Sequence, residues 1–407
     1  MAGSSADGSS ATVVEGQAQG KQTFAFIAMT CLFFFWGFIT VLNDILIPFL
    51  KESFDLNYTQ AMLVQFCFFG AYFIVSPFAG RLIDKVGYQQ GIVIGLLTTA
   101  AGCCLFYPSA SLHLYALFLL GFFVLASGIT ILQVAANPYV AALGPEKTAA
   151  SRLNLAQAAN SLGTTVGPII GAALILGVVA ADASAVQGPY LMIAGMLVAA
   201  ALVFRSIKLP VLAHVENTDD NSESVWSHRH LVLGALAIFL YVGGEVSIGS
   251  FLVNYFSESS IAGLSVEDAG EMVAYYWGAA MIGRLVGAVL MNYIADTRYL
   301  AVNAVIAVVM IVVSINTTGD VAMWSILAVG FFNSIMFPTI FTLAVKGLGS
   351  MTSKGSGFVC QAIVGGALVP LIQGVAADNI GIQLSFIVPL VCYLYIGWYA
   401  LAGAEKR

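Results

Sequence analysis

Long apolar runs, repeated along the chain, decide what this sequence can fold into. Stretches of about 18 or more mainly apolar residues, each long enough to cross a bilayer as a helix, recur at about 24–50, 60–80, 91–109, 113–142, 150–178, 187–206, 230–256, 268–293, 299–316, 320–346, 355–377 and 381–403. In lipid, backbone polar groups must be paired within the segment itself, and for runs of this length that leaves the helix. Twelve runs predict an all-α membrane protein with twelve transmembrane helices. The charge content agrees: 9% of residues are charged, against about 25% in an ordinary soluble domain. With 59% hydrophobic residues and a mean hydropathy of +0.92, the chain has too little polar surface to dissolve.

The basic residues orient the spans. With twelve spans and the N-terminus inside, Lys51 alone of the fifteen lysines and arginines falls outside. The others, Arg81, Lys85, Arg152, Arg284, Arg298, Lys346 and Lys354 among them, sort to the inner side, as the positive-inside rule requires. One span more or fewer scrambles this pattern. The expected organisation is a disordered cytoplasmic tail (1–21), a six-helix bundle (22–206), a cytoplasmic linker (207–228), a second six-helix bundle (229–403) and a short cytoplasmic tail (404–407). The Ser/Gly/Ala-rich start has no basic n-region and no cleavage pattern, so the first span acts as its own insertion signal. A multi-pass protein of a bacterial-type inner membrane is implied.

Several functions are excluded or disfavoured. All six cysteines lie within predicted spans with no Cys-x-x-Cys pair, which reads as buried free thiols. The four histidines lie at span ends or in the linker, and His228-Arg229-His230 reads as a solvated flank. No nucleotide loop, metal cluster or nucleophile–base order points to an enzyme, and nothing points to nucleic acid. The net charge of −6 comes largely from the tail and linker and reads as solvation.

The two halves resemble each other weakly. Gly80-Arg81-Leu82-Ile83 recurs as Gly283-Arg284-Leu285-Val286, and Gly121-Phe122-Phe123 as Gly330-Phe331-Phe332. Ala156-Gln157-Ala158 is echoed by Cys360-Gln361-Ala362. The nearly constant offset, with the even span count, predicts two parallel repeats with a site at the midplane between them and rocking for alternating access.

Four stretches carry a family likeness. GRLIDKVGYQQG (80–91), between spans two and three, resembles the loop signature of major facilitator superfamily transporters. WGFITVLNDILIP (36–48), LQVAANPYVAALGPEKTAASRLNLAQAANSLG (132–163) and YVGGEVSIGSFLVNYF (241–256) are more specific. They resemble the fucose/galactose/glucose:cation symporter family, nearest its glucose/galactose branch, over roughly residues 22–403. The resemblance implies the major facilitator fold, a small-molecule sugar as substrate, and gating at the signature. Gly80, Arg81, Asp84, Lys85 and Gly87 then belong to a gate, with Arg152, Arg284 and Asp296 as further members; a solvated turn with snorkelling basic residues is the plainer alternative.

Within the spans, polar residues form a consistent set. Gln133 and Asn137 are four apart on span four and share a helix face. Asn154, Gln157, Asn160 and Ser161 make a stripe on span five. Span one offers Asn43 and Asp44, span two Gln65, span eleven Gln361. Such side chains face the bundle interior or a wet cavity. Carboxamides and carboxylates supply the paired donors and acceptors that sugar hydroxyls need, and Trp36, Trp277 and Tyr139 can stack on a pyranose. Interhelical hydrogen bonding is the competing use of each amide. The expected sugar-binding set is Asn43, Gln65, Gln133, Asn137, Gln157, Asn160, Glu245, Gln361, Trp36 and Trp277. Gly243, Gly244 and Gly249 around Glu245 predict a local unwinding of span seven.

Asp44 and Glu245 are the two carboxylates expected to be buried deep within spans. With every lysine and arginine sorted to the loops, no salt-bridge partner is expected at their depth, so a proton or metal cation must neutralise Asp44 for part of a cycle. The fucose branch has a glutamate where this chain has Gln133. Gln133 cannot titrate, but its oxygen can ligate a cation, as can the hydroxyls of Thr40 and Thr130. A hard cation wants oxygen ligands, so Na⁺ at Asp44 suits the set better than a proton, and both remain open. No cofactor beyond this coupling ion and no other metal is implied. The leading function is a cation-coupled sugar importer embedded in the lipid bilayer and complete as a monomer. A drug or organic-ion antiporter, or a sugar sensor that does not transport, are the alternatives.

Overall fold

The computed structural model describes residues 19–56, 58–171, 186–210 and 224–404, and over these it is built from helices joined by short turns. The first six helices are α1 (Gln19–Ser53), α2 (Tyr58–Val86), α3 (Tyr88–Ser111), α4 (Tyr115–Ala142), α5 (Ala149–Gly171) and α6 (Gln187–Ser206). After the linker come α7 (Arg229–Ser257), α8 (Val266–Leu290), α9 (Asp296–Asn316), α10 (Gly319–Asn333), α11 (Met336–Val345), α12 (Thr352–Gln361), α13 (Gly365–Ile380), α14 (Ile382–Ser385) and α15 (Ile387–Trp398). Among the described residues eleven helical stretches are long and apolar enough to cross a membrane. The twelfth expected span corresponds to α5, whose described stretch carries the polar stripe. Helix α1 begins at Gln19, within the stretch 1–21 expected as the tail. Residues 1–18 and most of the linker lie outside the described residues.

Tight crossings come from small residues. A Cβ at Gly37 would lie 2.2 Å from the Asn160 carbonyl oxygen, and one at Gly163 2.2 Å from that of Phe34, so α1 and α5 cross nearly backbone to backbone. Close approach of this kind is how apolar helices gain packing energy where lipid offers no hydrophobic drive.

Two expectations are corrected. The stretch 80–91 is not a loop: α2 runs through Val86 and α3 starts at Tyr88, with Gly87 alone turning the chain at φ +80°. Only glycine takes that conformation without strain. Span seven does not unwind either, since α7 is continuous. Gly243 serves packing instead, with its Cβ position 2.3 Å from the Val369 side chain. Among the described residues the breaks occur in the last three spans, with α14 and α15 parted at Phe386. The chain turns at Ser334-Ile335 between α10 and α11, and a 3₁₀ turn at Ala362–Val364 separates α12 from α13.

Most of the basic helix ends collect at one end of the molecule, called the basic end below. There Gln89 donates to the carbonyls of Phe204 and Ile207 at 2.7 Å each, and His230 meets the Lys346 carbonyl at 3.1 Å. The first six helices meet the later ones along a seam that starts at this end. Glu146 pairs with Lys346 at 3.2 Å, Ser151 donates to the Ala288 carbonyl at 2.5 Å, and Ser353 donates to Tyr88 at 3.2 Å. Deeper, Ser356 donates to the Val134 carbonyl at 2.9 Å and Gln361 to that of Phe73 at 3.1 Å. At the other end the contacts named here stay within each group, as with Tyr115 donating to the Gln60 carbonyl and Gln383 to that of Thr317.

Candidate functional site

The stripe on α5 and its neighbours on α4 build the centre of the site. Gln133 is 6% exposed; its Nε2 donates to the Tyr72 hydroxyl at 2.7 Å while its Oε1 takes no hydrogen bond from the described residues. Gln157 is buried to the same degree, and its carboxamide is not engaged by the described residues. Ser161, one turn on, donates to the Gln157 carbonyl at 3.1 Å. Asn160 donates to the Phe33 carbonyl at 3.0 Å and so ties α5 to α1. Trp36 is buried against Phe33, ring centres 5.0 Å apart.

Thr40 donates to the Trp36 carbonyl and Thr130 to that of Ala126, each within its own helix at 2.9 and 2.8 Å. The hydroxyl protons are used and the oxygen lone pairs remain, which is what a cation ligand needs. Asn43 and Asp44 have helical backbone in α1, but their side chains lie outside the described residues. Gln65 is half-buried and engaged on α2.

The second group of helices brings an ion pair to this centre. Glu245 on α7 faces Arg284 on α8 at 3.6 Å, both side chains 13% exposed, and Tyr241 donates to the Glu245 carboxylate at 2.7 Å. Arg284 also donates through Nε to the Ser334 carbonyl at 3.2 Å, and through Nη1 to the hydroxyl of Ser161 across the seam. Ser334 sits at the break after α10, where carbonyls lack helical partners. This overturns the expectation that no cation reaches Glu245. Arg284 lies six residues before the end of α8, about 9 Å inside it, and its long side chain extends inward. The apolar run 268–293 itself encloses Arg284, a signal that sorting it to a loop overlooks. Beside the pair, Asn333 donates to the hydroxyls of Tyr276 at 2.7 Å and Tyr393 at 2.9 Å. Sequence reasoning missed this knot; the Tyr241–Glu245 spacing of four on one helix is the clue it offered.

The remaining predicted residues separate by place. Gln361 donates across the seam, as an interhelical tie. Asn137 is fully buried with neither amide atom paired among the described residues. Trp277 is 40% exposed and packs on Gly249, whose Cβ position is 3.1 Å from the indole. Tyr139 is buried and donates to the Pro210 carbonyl at 2.9 Å, so its hydroxyl belongs to the linker contact.

The expected gate is divided. A Cβ at Gly80 would lie 2.8 Å from the Ser353 carbonyl, at the seam itself. Arg81 is exposed and lies over Phe78 at 6.0 Å, Lys85 is exposed in the last turn of α2, and Asp84 is half-buried there beside Tyr88. Arg152 does not cross the seam: it donates to the carbonyls of Ala141, Gly144 and Pro145 and caps the end of α4. Asp296 opens α9 and lines a cleft with Glu146 and Lys346.

Comparison with known proteins decides the family. The Major Facilitator Superfamily model matches residues 25–360. The chain belongs to the major facilitator superfamily. Within that superfamily it is 57% identical to the glucose/galactose transporter of Brucella abortus, over 96% of this chain and 97% of that one. It is 34% identical to the L-fucose-proton symporter of Escherichia coli, over 92% of each. Among solved structures it resembles the transporter FucP in the outward conformation, with a TM-score of 0.88 and 33% identity over 95% of this chain and all of that one. Its seam lies between the two groups of helices, and the buried amides of α4 and α5 lie beside that seam.

Proposed function

We propose that this chain is a secondary active importer of a hexose, glucose- or galactose-like, driven by symport of a cation through alternating access. The observation that carries the reading is the pair of buried carboxamides Gln133 and Gln157 on α4 and α5. Each keeps hydrogen-bonding capacity that the described residues do not use, and Gln157 lies one turn from Ser161, where Arg284 reaches across. Spare amide donors and acceptors in a buried site suit hydroxyl-rich ligands, and the relatives named as sugar transporters support the choice.

Asp44 carries the coupling, with oxygens of Gln133, Thr40 and Thr130 completing a site that favours Na⁺ over a proton. Glu245 is neutralised by Arg284 and serves the sugar side. The basic end is cytoplasmic, as are both termini, and the protein acts as a monomer in a bacterial inner membrane. The seam closed at the basic end, together with the likeness to FucP in its outward conformation, supports an outward-facing state.

The test is uptake of labelled glucose and galactose into proteoliposomes under imposed Na⁺ or proton gradients. Concentrative uptake of at least one sugar is expected with Na⁺, and Asp44→Asn abolishes it. Sugar affinity in that variant no longer responds to Na⁺, because coupling is reciprocal. Concentrative uptake by Asp44→Asn removes Asp44 from the mechanism; wild-type uptake driven by protons and indifferent to Na⁺ overturns the choice of ion.

A further inference from the structure

Asn137 stands out among the described polar residues. It is 0% exposed, and neither its Nδ2 nor its Oδ1 has a hydrogen-bond partner among the described residues. Buried carboxamides are ordinarily paired. Its place explains more than its burial. On α4, Val134 accepts from Ser356 across the seam, and Pro138 and Ala141 line the cleft shared with Thr342 and Leu343 of α11. Positions 134, 137, 138 and 141 lie on one helix face, so Asn137 points into the seam.

Ser76 repeats the pattern on α2. It too is 0% exposed with an unpartnered hydroxyl. Phe73 and Gly80, three and four residues away on the same face, touch Gln361 and Ser353, and a Cβ at Gly357 would come 2.6 Å from the Ser76 carbonyl. Two neighbouring helices thus strand polar side chains against the same surface of α12.

We propose that Asn137 and Ser76 are positioning residues of the transport cycle: stranded while the seam is closed, they gain hydrogen bonds only when it parts at the basic end, and so bias the molecule toward opening. The desolvation penalty of an unpaired buried polar group belongs to the closed state alone. The inference rests on alternating access across this seam, and not on which sugar or cation is carried.

Cys360 provides a native reporter. It is fully buried on α12 beside Tyr72, inside the seam. The experiment uses the full chain with the other five cysteines replaced, and follows the rate at which a maleimide labels Cys360. Asn137→Leu, of similar size but without polar atoms, is expected to slow labelling about tenfold. It also lowers the maximal rate of sugar uptake. Ser76→Ala shifts both in the same direction by less, and serves if Asn137→Leu folds poorly. Labelling that stays constant or speeds up in both variants, with a lower melting temperature, shows that these groups stabilise the closed seam and overturns the proposal. Because labelling needs no transport, a chain that carries no hexose can still pass or fail this test.

Discussion

Arg284 is held by Glu245, by a carbonyl freed at a helix break and by a serine from the opposite group of helices. Removing one partner of a buried pair leaves an uncompensated charge, which costs about 3–5 kcal/mol. Arg284→Met is therefore expected to lower the melting temperature in detergent sharply, and adding Glu245→Gln to restore most of it. A double variant no more stable than the single one sinks this account of the pair. Gln157 behaves in the opposite way. Gln157→Ala is expected to weaken sugar binding at least tenfold by calorimetry while moving the melting temperature little, since its amide makes no bond to the described residues. The sequence displays both residues, yet only one correctly. The stripe on α5 follows from spacing alone, because polar residues three and four apart must share a face. The direction of Arg284 does not: Arg81 lies at a similar depth in α2 but points out to Phe78, and direction depends on neighbours that a single chain of letters does not reveal.

At the scale of helices, the seam between α2 and α12 is built on absence of side chains. Gly80 and Gly357 each hold a backbone oxygen of the other helix where a methyl group would stand. Gly80→Ala is expected to wedge the seam and raise the Cys360 labelling rate severalfold, the reverse of Asn137→Leu. Slower labelling in Gly80→Ala removes the glycine from the closure. The apolar runs predicted the number of spans because lipid leaves no other way to satisfy the backbone. They did not locate the breaks. The glycines around Glu245 invited an unwound α7, whereas the chain spends them on close packing and breaks at Ser334-Ile335 and 362–364, where carbonyls and cross-seam contacts make up for lost helical bonds.

Across the whole molecule, the closed seam is strongest in small buried contacts and weakest in charge. Glu146 and Lys346 are 42% and 59% exposed, and exposed pairs of this kind contribute about 0.2–1 kcal/mol. Lys346→Ala is expected to speed Cys360 labelling less than fivefold, with the difference vanishing in 1 M salt, where screening reaches only about 3 Å. A larger, salt-resistant effect places the lock at the charged mouth rather than in the seam. One asymmetry reaches further. Helices α1 to α4 run unbroken for 24 residues or more, whereas the spans after α9 are jointed. A stiff slab thus faces a compliant one. A bilayer thicker or thinner than the spans imposes a mismatch that costs fractions of a kcal/mol per ångström. That stress concentrates at the joints of the compliant slab, which also form the seam. Lipid chain length is thereby a mechanical input to the same equilibrium that the substrate drives.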